Sequence, residues 1–157
     1  MTGKRLITRP LSARRASGLA ILAAIFVALV PSANAEVVDI DNRKLAELLA
    51  KGVPVVDVRT PGEWQQTGVI AGSHMLMFFD ERGRYDLQKF EADITKLVKP
   101  EEPVIVICRT GSRTVSIAPF LDQKVGYPVV YNVRLGIKGW IASGGKTSAV
   151  KTSSTLS

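Results

Sequence analysis

Apolar residues recur in two patterns along the chain: short unbroken runs, and longer stretches in which they return every three or four positions. The short runs predict strands buried on both faces, and the periodic stretches predict amphipathic helices. Predicted strands cover 36–40, 53–58, 74–77, 103–107 and 129–131, and predicted helices cover 41–52, 85–98, 112–124 and 136–143, with a further helix beginning at 60. This alternation is typical of βαβ units, so the sequence predicts an α/β protein with a mainly parallel sheet.

Several polar residues and prolines predict where these helices begin and end. Asp41 is a predicted N-cap. Thr60, with Pro61 at the first helical position and Glu63 three residues after the cap, has the sequence of a capping box. Pro119 lies inside the predicted helix 112–124, and we expect it to kink or restart that helix.

The first 35 residues combine a basic start, an apolar run and small residues. The apolar run is 12 residues long, over 19–30; Pro31 follows it, and Ala33 and Ala35 form a small-x-small cleavage pattern. These parts predict a signal peptide over 1–35 that is cleaved after Ala35, and hence a periplasmic or secreted protein. Twelve apolar residues are few against the roughly 20 that span a bilayer, so we expect no membrane anchor after cleavage.

The charge of the chain changes once this leader is set aside. The whole chain has 21 Lys and Arg against 14 Asp and Glu, a net charge of +7. Five of the basic residues lie in the leader, and the pair Arg14-Arg15 among them leaves a twin-arginine export route open. Without these five, 16 Lys and Arg remain against 14 Asp and Glu, a net charge of +2. Because the rest of the sequence also has no basic stripe, we expect no nucleic-acid partner. Residues 36–145 suit one domain, and the Ser/Thr-rich segment 146–157 is a predicted disordered tail.

Cys108, the only cysteine, ends an apolar run and opens a polar loop. Arg109 and Arg113 add positive charge there, at what we expect to be the rim of a site, and Gly111 permits a turn with positive φ. Loop N–H groups that converge on the sulfur would form an anion cradle and favour the thiolate. A lone cysteine is more commonly a buried structural residue. The basic, glycine-containing loop favours a reactive thiol.

Metal and cofactor chemistry have little support in the sequence. His74 is the only histidine, and its place in a predicted strand favours a structural role over that of a base for Cys108. One cysteine and one histidine make a poor zinc shell. No phosphate-binding loop, dinucleotide fingerprint or Ser-His-Asp arrangement is present, so we expect no cofactor.

Four segments, 57–64, 68–73, 108–113 and 136–140, occur in the order and form of motifs in one enzyme family. The chain resembles the rhodanese (thiosulfate sulfurtransferase) family, in particular its small, single-domain, exported members. The resemblance implies a five-stranded parallel sheet with helices on both faces. It also implies that Cys108 accepts sulfur as a persulfide, with thiosulfate as donor and cyanide or a thiol as acceptor. The implied donor-binding residues are Arg109, Thr110, Gly111, Ser112 and Arg113, and Asp57 and Arg59 organise the fold near the site.

The length of the cysteine loop distinguishes the rhodanese family from related enzymes. Related dual-specificity phosphatases and arsenate reductases have Cys-x5-Arg, whereas Cys108 and Arg113 form the shorter Cys-x4-Arg that suits sulfur. The chain departs from the family pattern at Val69, Ala71 and Leu135. A persulfide carrier for a partner in sulfur metabolism stays open as an alternative, and a phosphatase or arsenate reductase is less favoured. No feature of the sequence specifies an oligomeric state.

Overall fold

The computed structural model of the protein describes residues 36–150, which form a five-stranded sheet flanked by helices. The strands are β1 (Glu36–Ile40), β2 (Val55–Asp57), β3 (His74–Met75), β4 (Val104–Ile107) and β5 (Val129–Val133). Their order in the sheet is β1-β5-β4-β2-β3, and every neighbouring pair is parallel. This confirms the predicted parallel α/β sheet.

The helices follow the strands in the predicted alternation. They are α1 (Asn42–Ala50), α2 (Pro61–Thr67), α3 (Leu87–Leu97), α4 (Ser112–Phe120), a π-helical segment (Leu121–Val125) and α5 (Gly136–Ala142). Pro119 lies inside α4, and the change from α to π geometry follows it by two residues. Proline has no backbone N–H to continue the ladder, so the expected interruption takes the form of a wider turn.

Two of the helix starts have the caps that the sequence predicts. The Asp41 side chain accepts a hydrogen bond from the backbone N–H of Lys44 at 2.8 Å. The Thr60 side chain accepts from the N–H of Glu63, and the Glu63 carboxylate accepts from the N–H of Thr60 at 3.0 Å, which completes the capping box. These reciprocal bonds fix the start of α2 next to the end of β2.

Successive residues of the central strands point to opposite faces of the sheet and form two separate cores. On one face, Val106 packs with Phe90 and Ile94 of α3 and with Ile117 of α4. On the other face, a second cluster joins strand residues to α1 and α5, through Leu45, Leu48, Ile105, Ile107 and Ile137. Helices therefore cover both faces, as the family resemblance implies.

The first residues of the segment predicted as a disordered tail contact the domain. Ser148 pairs with Val69 as an isolated antiparallel bridge, and the Thr147 hydroxyl donates to the Thr67 carbonyl at 2.9 Å. The predicted boundary at 146 therefore differs from the structure, because backbone pairing with Val69 holds residues that have few apolar side chains. The predicted signal peptide, 1–35, and the end of the tail, 151–157, lie outside the described residues. No helix within 36–150 is long and apolar enough to cross a membrane.

Candidate active site

Cys108 directly follows β4 at the carboxyl edge of the sheet, where parallel α/β sheets bind their ligands. Its side chain is fully buried and packs in one of the two cores. The backbone N–H of Gly111 donates to Sγ, with an N···S distance of 3.1 Å. The predicted turn of the loop toward its own cysteine is therefore present, and a polarised donor faces the sulfur.

Gly111 allows the loop to close because it lies against a neighbouring backbone. Its φ is +91°, and a Cβ placed there would lie 2.0 Å from the carbonyl oxygen of Arg134. Gly136 makes a second close approach, since its Cβ would lie 2.5 Å from the carbonyl oxygen of Cys108. Both positions exclude any side chain, so the loop and the start of α5 pack backbone to backbone.

The first turn of α5 holds the beginning of the loop. The N–H of Ile137 donates to the Cys108 carbonyl at 2.8 Å, and the N–H of Lys138 donates to the Arg109 carbonyl at 3.1 Å. The first N–H groups of a helix have no partners within it, so the loop satisfies donors that need acceptors. The position of the sulfur thus depends on α5 as well as on β4.

Thr114 is a neighbour of the sulfur that the sequence analysis did not identify. It is fully buried, and its Oγ1 lies 3.7 Å from Sγ of Cys108. Its hydroxyl donates to the Gly111 carbonyl at 2.9 Å, so its one proton is engaged while the thiol is protonated. After ionisation of the thiol, the same hydroxyl can turn toward the sulfur and donate to it.

Of the predicted donor-binding side chains, three are exposed to solvent and one forms an ion pair. Arg109, Thr110 and Ser112 are exposed, and the two hydroxyls lie 3.3 Å apart. Arg113 is instead held in a bidentate ion pair with Glu63, with N···O distances of 2.6 and 2.8 Å. Both arginines were expected at the rim of the site; Arg109 is exposed there, whereas Arg113 is half-buried and its charge is neutralised by a carboxylate on α2.

The pair shifts the pKa of both partners. Side-chain hydrogen bonds from Arg113 lower the pKa of Glu63 from 4.5 to about 2, although partial burial opposes the shift, and the N–H of Thr60 lowers it further. The hydrogen bond to Glu63 raises the pKa of Arg113. Glu63 thus caps α2 and ties the end of the cysteine loop to it.

We expect Glu63→Gln to destabilise the protein in a pH-dependent way. A carboxylate whose folded-state pKa is depressed stabilises the fold above its unfolded pKa, and this stabilisation disappears as the pH falls through the folded value. The difference in unfolding free energy between wild type and Glu63→Gln should be full above about pH 5 and should shrink toward about pH 2. Chemical denaturation at a series of pH values measures it.

Glu91→Gln is the matched control for this prediction. Glu91 is exposed on α3 and takes part in no ion pair of the described chain. The control should show little of the pH-dependent loss. A destabilisation by Glu63→Gln that stays constant down to about pH 3 would contradict the assigned role of the ion pair.

Asp57 and Arg59 form a fully buried ion pair at the end of β2. The Arg59 guanidinium donates to both carboxylate oxygens of Asp57 at 2.7–3.1 Å and to the Gly68 carbonyl at 2.8 Å. It also donates to Thr67 Oγ1 at 2.7 Å and to the carbonyl of Glu63 at 3.1 Å. These bonds join β2 to both ends of α2, which is the structural role that the family resemblance implies.

His74 is placed away from a catalytic pairing with the cysteine. It lies on the edge strand β3 opposite Val56, and within residues 36–150 its side chain forms no hydrogen bond with the loop 108–113. Among the same residues, no group of three or more His, Cys, Asp or Glu side chains is placed to hold a metal ion.

Fold and loop together define an α/β protein that holds a thiol at the carboxyl edge of a parallel sheet, inside a loop closed by its own N–H donor. Residues 41–143 match the Rhodanese-like domain family, and the chain belongs to that family. The resemblance found in the four sequence motifs is thereby confirmed.

Relatives and solved structures agree with this assignment. Thiosulfate sulfurtransferase 18 of Arabidopsis thaliana is 29% identical over 109 residues, which cover 68% of this chain and 79% of the relative. A protein of Allochromatium vinosum named sulfurtransferase is 31% identical over 108 residues, covering 68% and 90%. The crystal structure of a rhodanese-related protein from Thermoplasma volcanium superposes with a TM-score of 0.54 at 28% identity, covering 69% of this chain and 95% of the other.

Proposed function

We propose that the protein is a sulfurtransferase that carries a sulfane sulfur on Cys108 as a persulfide. The observation that supports this most directly is the Gly111 N–H aimed at Sγ from 3.1 Å inside the Cys-x4-Arg loop. A donor in this position stabilises the thiolate that attacks the sulfur donor and that forms again when the acceptor removes the outer sulfur. The names of the sulfurtransferase relatives support the same reaction class.

The proposed reaction with thiosulfate consists of two displacements at sulfur. The Cys108 thiolate attacks the outer sulfur of thiosulfate, the S–S bond of thiosulfate breaks, and its electron pair leaves with sulfite. A cyanide ion or an acceptor thiolate then attacks the outer sulfur of the persulfide, and the electron pair of that S–S bond returns to Cys108. Neither displacement requires an oxidant, a metal or a cofactor.

Residues around the sulfur have distinct parts in this proposal. Cys108 is the nucleophile, Gly111 donates to its sulfur, and Thr114 offers a hydroxyl that can turn toward the ionised thiol. The Arg113 charge is shared with Glu63, so its main effect is to position the loop. Arg109 is exposed and free to meet an anionic donor.

Steady-state sulfur transfer tests the proposal. Wild type is expected to convert thiosulfate and cyanide into sulfite and thiocyanate, and Cys108→Ser is expected to lose this turnover entirely because a serine hydroxyl does not form the persulfide. Circular dichroism and thermal unfolding of the variant check that the fold is kept. Turnover in folded Cys108→Ser equal to wild type would contradict the proposal.

Burial of the cysteine favours a persulfide carrier as the second candidate. Cys108 has 0% exposure, so a sulfur stored there is shielded from solvent and from unselective acceptors. A carrier would load from thiosulfate and hold the persulfide, yet release little thiocyanate to cyanide. The rate of persulfide loss to cyanide therefore separates an enzyme from a carrier.

We propose further that the protein works outside the cytoplasm after cleavage behind Ala35. This is supported by the basic start, the 12-residue apolar run and the small-x-small pattern at Ala33 and Ala35. Amino-terminal sequencing of the protein from a periplasmic or secreted fraction should begin at Glu36. A full-length protein confined to the cytoplasm would contradict this proposal.

A further inference from the structure

A cavity of about 200 Å³ lies beside the cysteine loop, between α2 and α5. Its lining side chains are Arg59, Glu63, Gln66, Thr67, Arg109 and Lys138. The backbone hydrogen bond from Lys138 to the Arg109 carbonyl, 3.1 Å long, holds two of these residues next to each other. The cavity is thus attached to the loop that carries the reactive sulfur.

The charges that line this cavity do not cancel. Arg59 is neutralised by Asp57, and Glu63 is neutralised by Arg113 through two hydrogen bonds. Arg109 and Lys138 are exposed, and neither forms an ion pair with a residue of 36–150. Arg109 and Lys138 are therefore two cations without an ion-pair partner in 36–150 that face a small cavity. Because the other charged side chains of the lining, Arg59 and Glu63, are already paired, the cavity attracts an anion.

The cavity lies to one side of the sulfur. Cys108 does not line it, and neither do the loop residues Thr110, Gly111 and Ser112. An anionic group held by Arg109 and Lys138 therefore occupies a cavity that the reacting sulfur does not line. In thiosulfate the sulfonate is bonded directly to the sulfane sulfur, at a distance of about 2 Å, whereas an acceptor with its carboxylate several bonds from the thiol can react at Sγ and still place an anion in a cavity that Cys108 does not line.

We propose that the cavity binds the carboxylate of the sulfur acceptor, and that the acceptor is a small thiol carrying a carboxylate several bonds from its sulfur. This inference rests on the proposed function. The acceptor thiolate attacks the outer sulfur of the Cys108 persulfide, the persulfide S–S bond breaks, and its electron pair returns to Cys108. The product is the acceptor persulfide, while Arg109 and Lys138 hold the carboxylate and orient the attacking sulfur.

Glutathione and its diethyl ester test the proposal, because they share one thiol and differ in their carboxylates. The protein is first loaded with sulfur from thiosulfate, and the amount of persulfide per chain is measured by intact mass before the thiol is added. The second-order rate constant for sulfur transfer should be larger for glutathione than for the ester in wild type. Lys138→Ala should reduce this preference about tenfold, the equivalent of one charge-assisted contact, and Lys138→Glu should reverse it.

Lys124→Ala supplies the matched control. Lys124 is an exposed lysine on the π-helical segment, beyond the end of α4 that is remote from the loop, and its removal changes the net charge by the same amount. This variant should keep the wild-type preference. Equal preference in Lys138→Ala and Lys124→Ala, or no preference in wild type, would overturn the inference.

A binding measurement distinguishes failure of this inference from failure of the proposed function. If thiosulfate adds no sulfur to the protein, the proposed function fails. Calorimetric binding of S-methylglutathione to the unloaded protein does not depend on loading, and Lys138→Ala should weaken it about tenfold. Binding that is absent in wild type, or unchanged in Lys138→Ala, contradicts the carboxylate site in either case.

Discussion

Gly111→Ala is expected to destabilise the protein by about 2–5 kcal/mol and to abolish persulfide formation in the folded fraction. The φ of +91° is unfavourable for alanine, and the added Cβ would lie 2.0 Å from the Arg134 carbonyl oxygen. Relief of that overlap requires the loop to move away from the segment after β5. Such a movement takes the Gly111 N–H away from Sγ of Cys108.

Gly126→Ala is the control that separates strain from overlap. Gly126 has a similar φ of +87°, but a Cβ there would have no atom within 4 Å. Only the left-handed backbone penalty remains, about 1–2 kcal/mol, and loading with sulfur should be retained. Denaturation curves and intact mass after thiosulfate compare the two variants. Equal losses of stability, with loading preserved in both, would contradict the backbone contact at Gly111.

Asp57→Asn is expected to reduce the free energy of unfolding by about 3–5 kcal/mol. The substitution keeps the shape of the side chain but removes the charge that compensates a fully buried Arg59. An uncompensated buried charge costs more than a lost surface contact. The movement of Arg59 toward water would also loosen α2, since its guanidinium bonds to Thr67 and to the Gly68 carbonyl.

Asp93→Asn is the control for this prediction, because it removes an aspartate charge from exposed ion pairs and not from a buried one. Asp93 pairs with Lys89 and Lys96 on the surface of α3, where both lysines are more than two-thirds exposed. Exposed pairs contribute little to stability, so its unfolding curve should stay close to that of wild type. A loss in Asp57→Asn no larger than in Asp93→Asn would show that the buried pair does not hold β2 to α2.

The parts of the site that depend on local sequence could be predicted. The apolar run of β4 led directly to Cys108, and Gly111 was recognised as the residue that turns the loop. The capping box at Thr60 needed only its own four residues. In each case, residues close together in the chain determine the geometry, so the pattern of residue types carries enough information.

The parts that depend on distant contacts could not be predicted in this way. Arg113 and Glu63 are 50 residues apart, and only the packing of α2 against the loop brings them together. Thr114 lies one residue beyond the Cys-x4-Arg loop, and its contact with the sulfur depends on the first turn of α4. No periodicity or motif indicated either contact. The first makes Arg113 a residue that positions the loop, and the second places a hydroxyl next to Sγ of Cys108.

Edge strand β3 shows the same limit in the fold. The sequence predicted a strand over 74–77, but only His74–Met75 form one, because the neighbouring β2 is three residues long. The chain continues beside the end of β2 with hydrogen bonds from Leu76 to Asp57 and from Phe78 to Val58. The length of an edge strand is therefore determined by its partner as well as by its own apolar residues.

The most direct test of the central claim is the intact mass of the protein, residues 36–157, after reaction with thiosulfate and removal of excess reagent. A gain of one sulfur atom per chain, matched by one released sulfite and reversed by cyanide, is the predicted result. Cys108→Ser should show no gain. An unchanged wild-type mass at millimolar thiosulfate, or an equal gain in Cys108→Ser, would contradict the account.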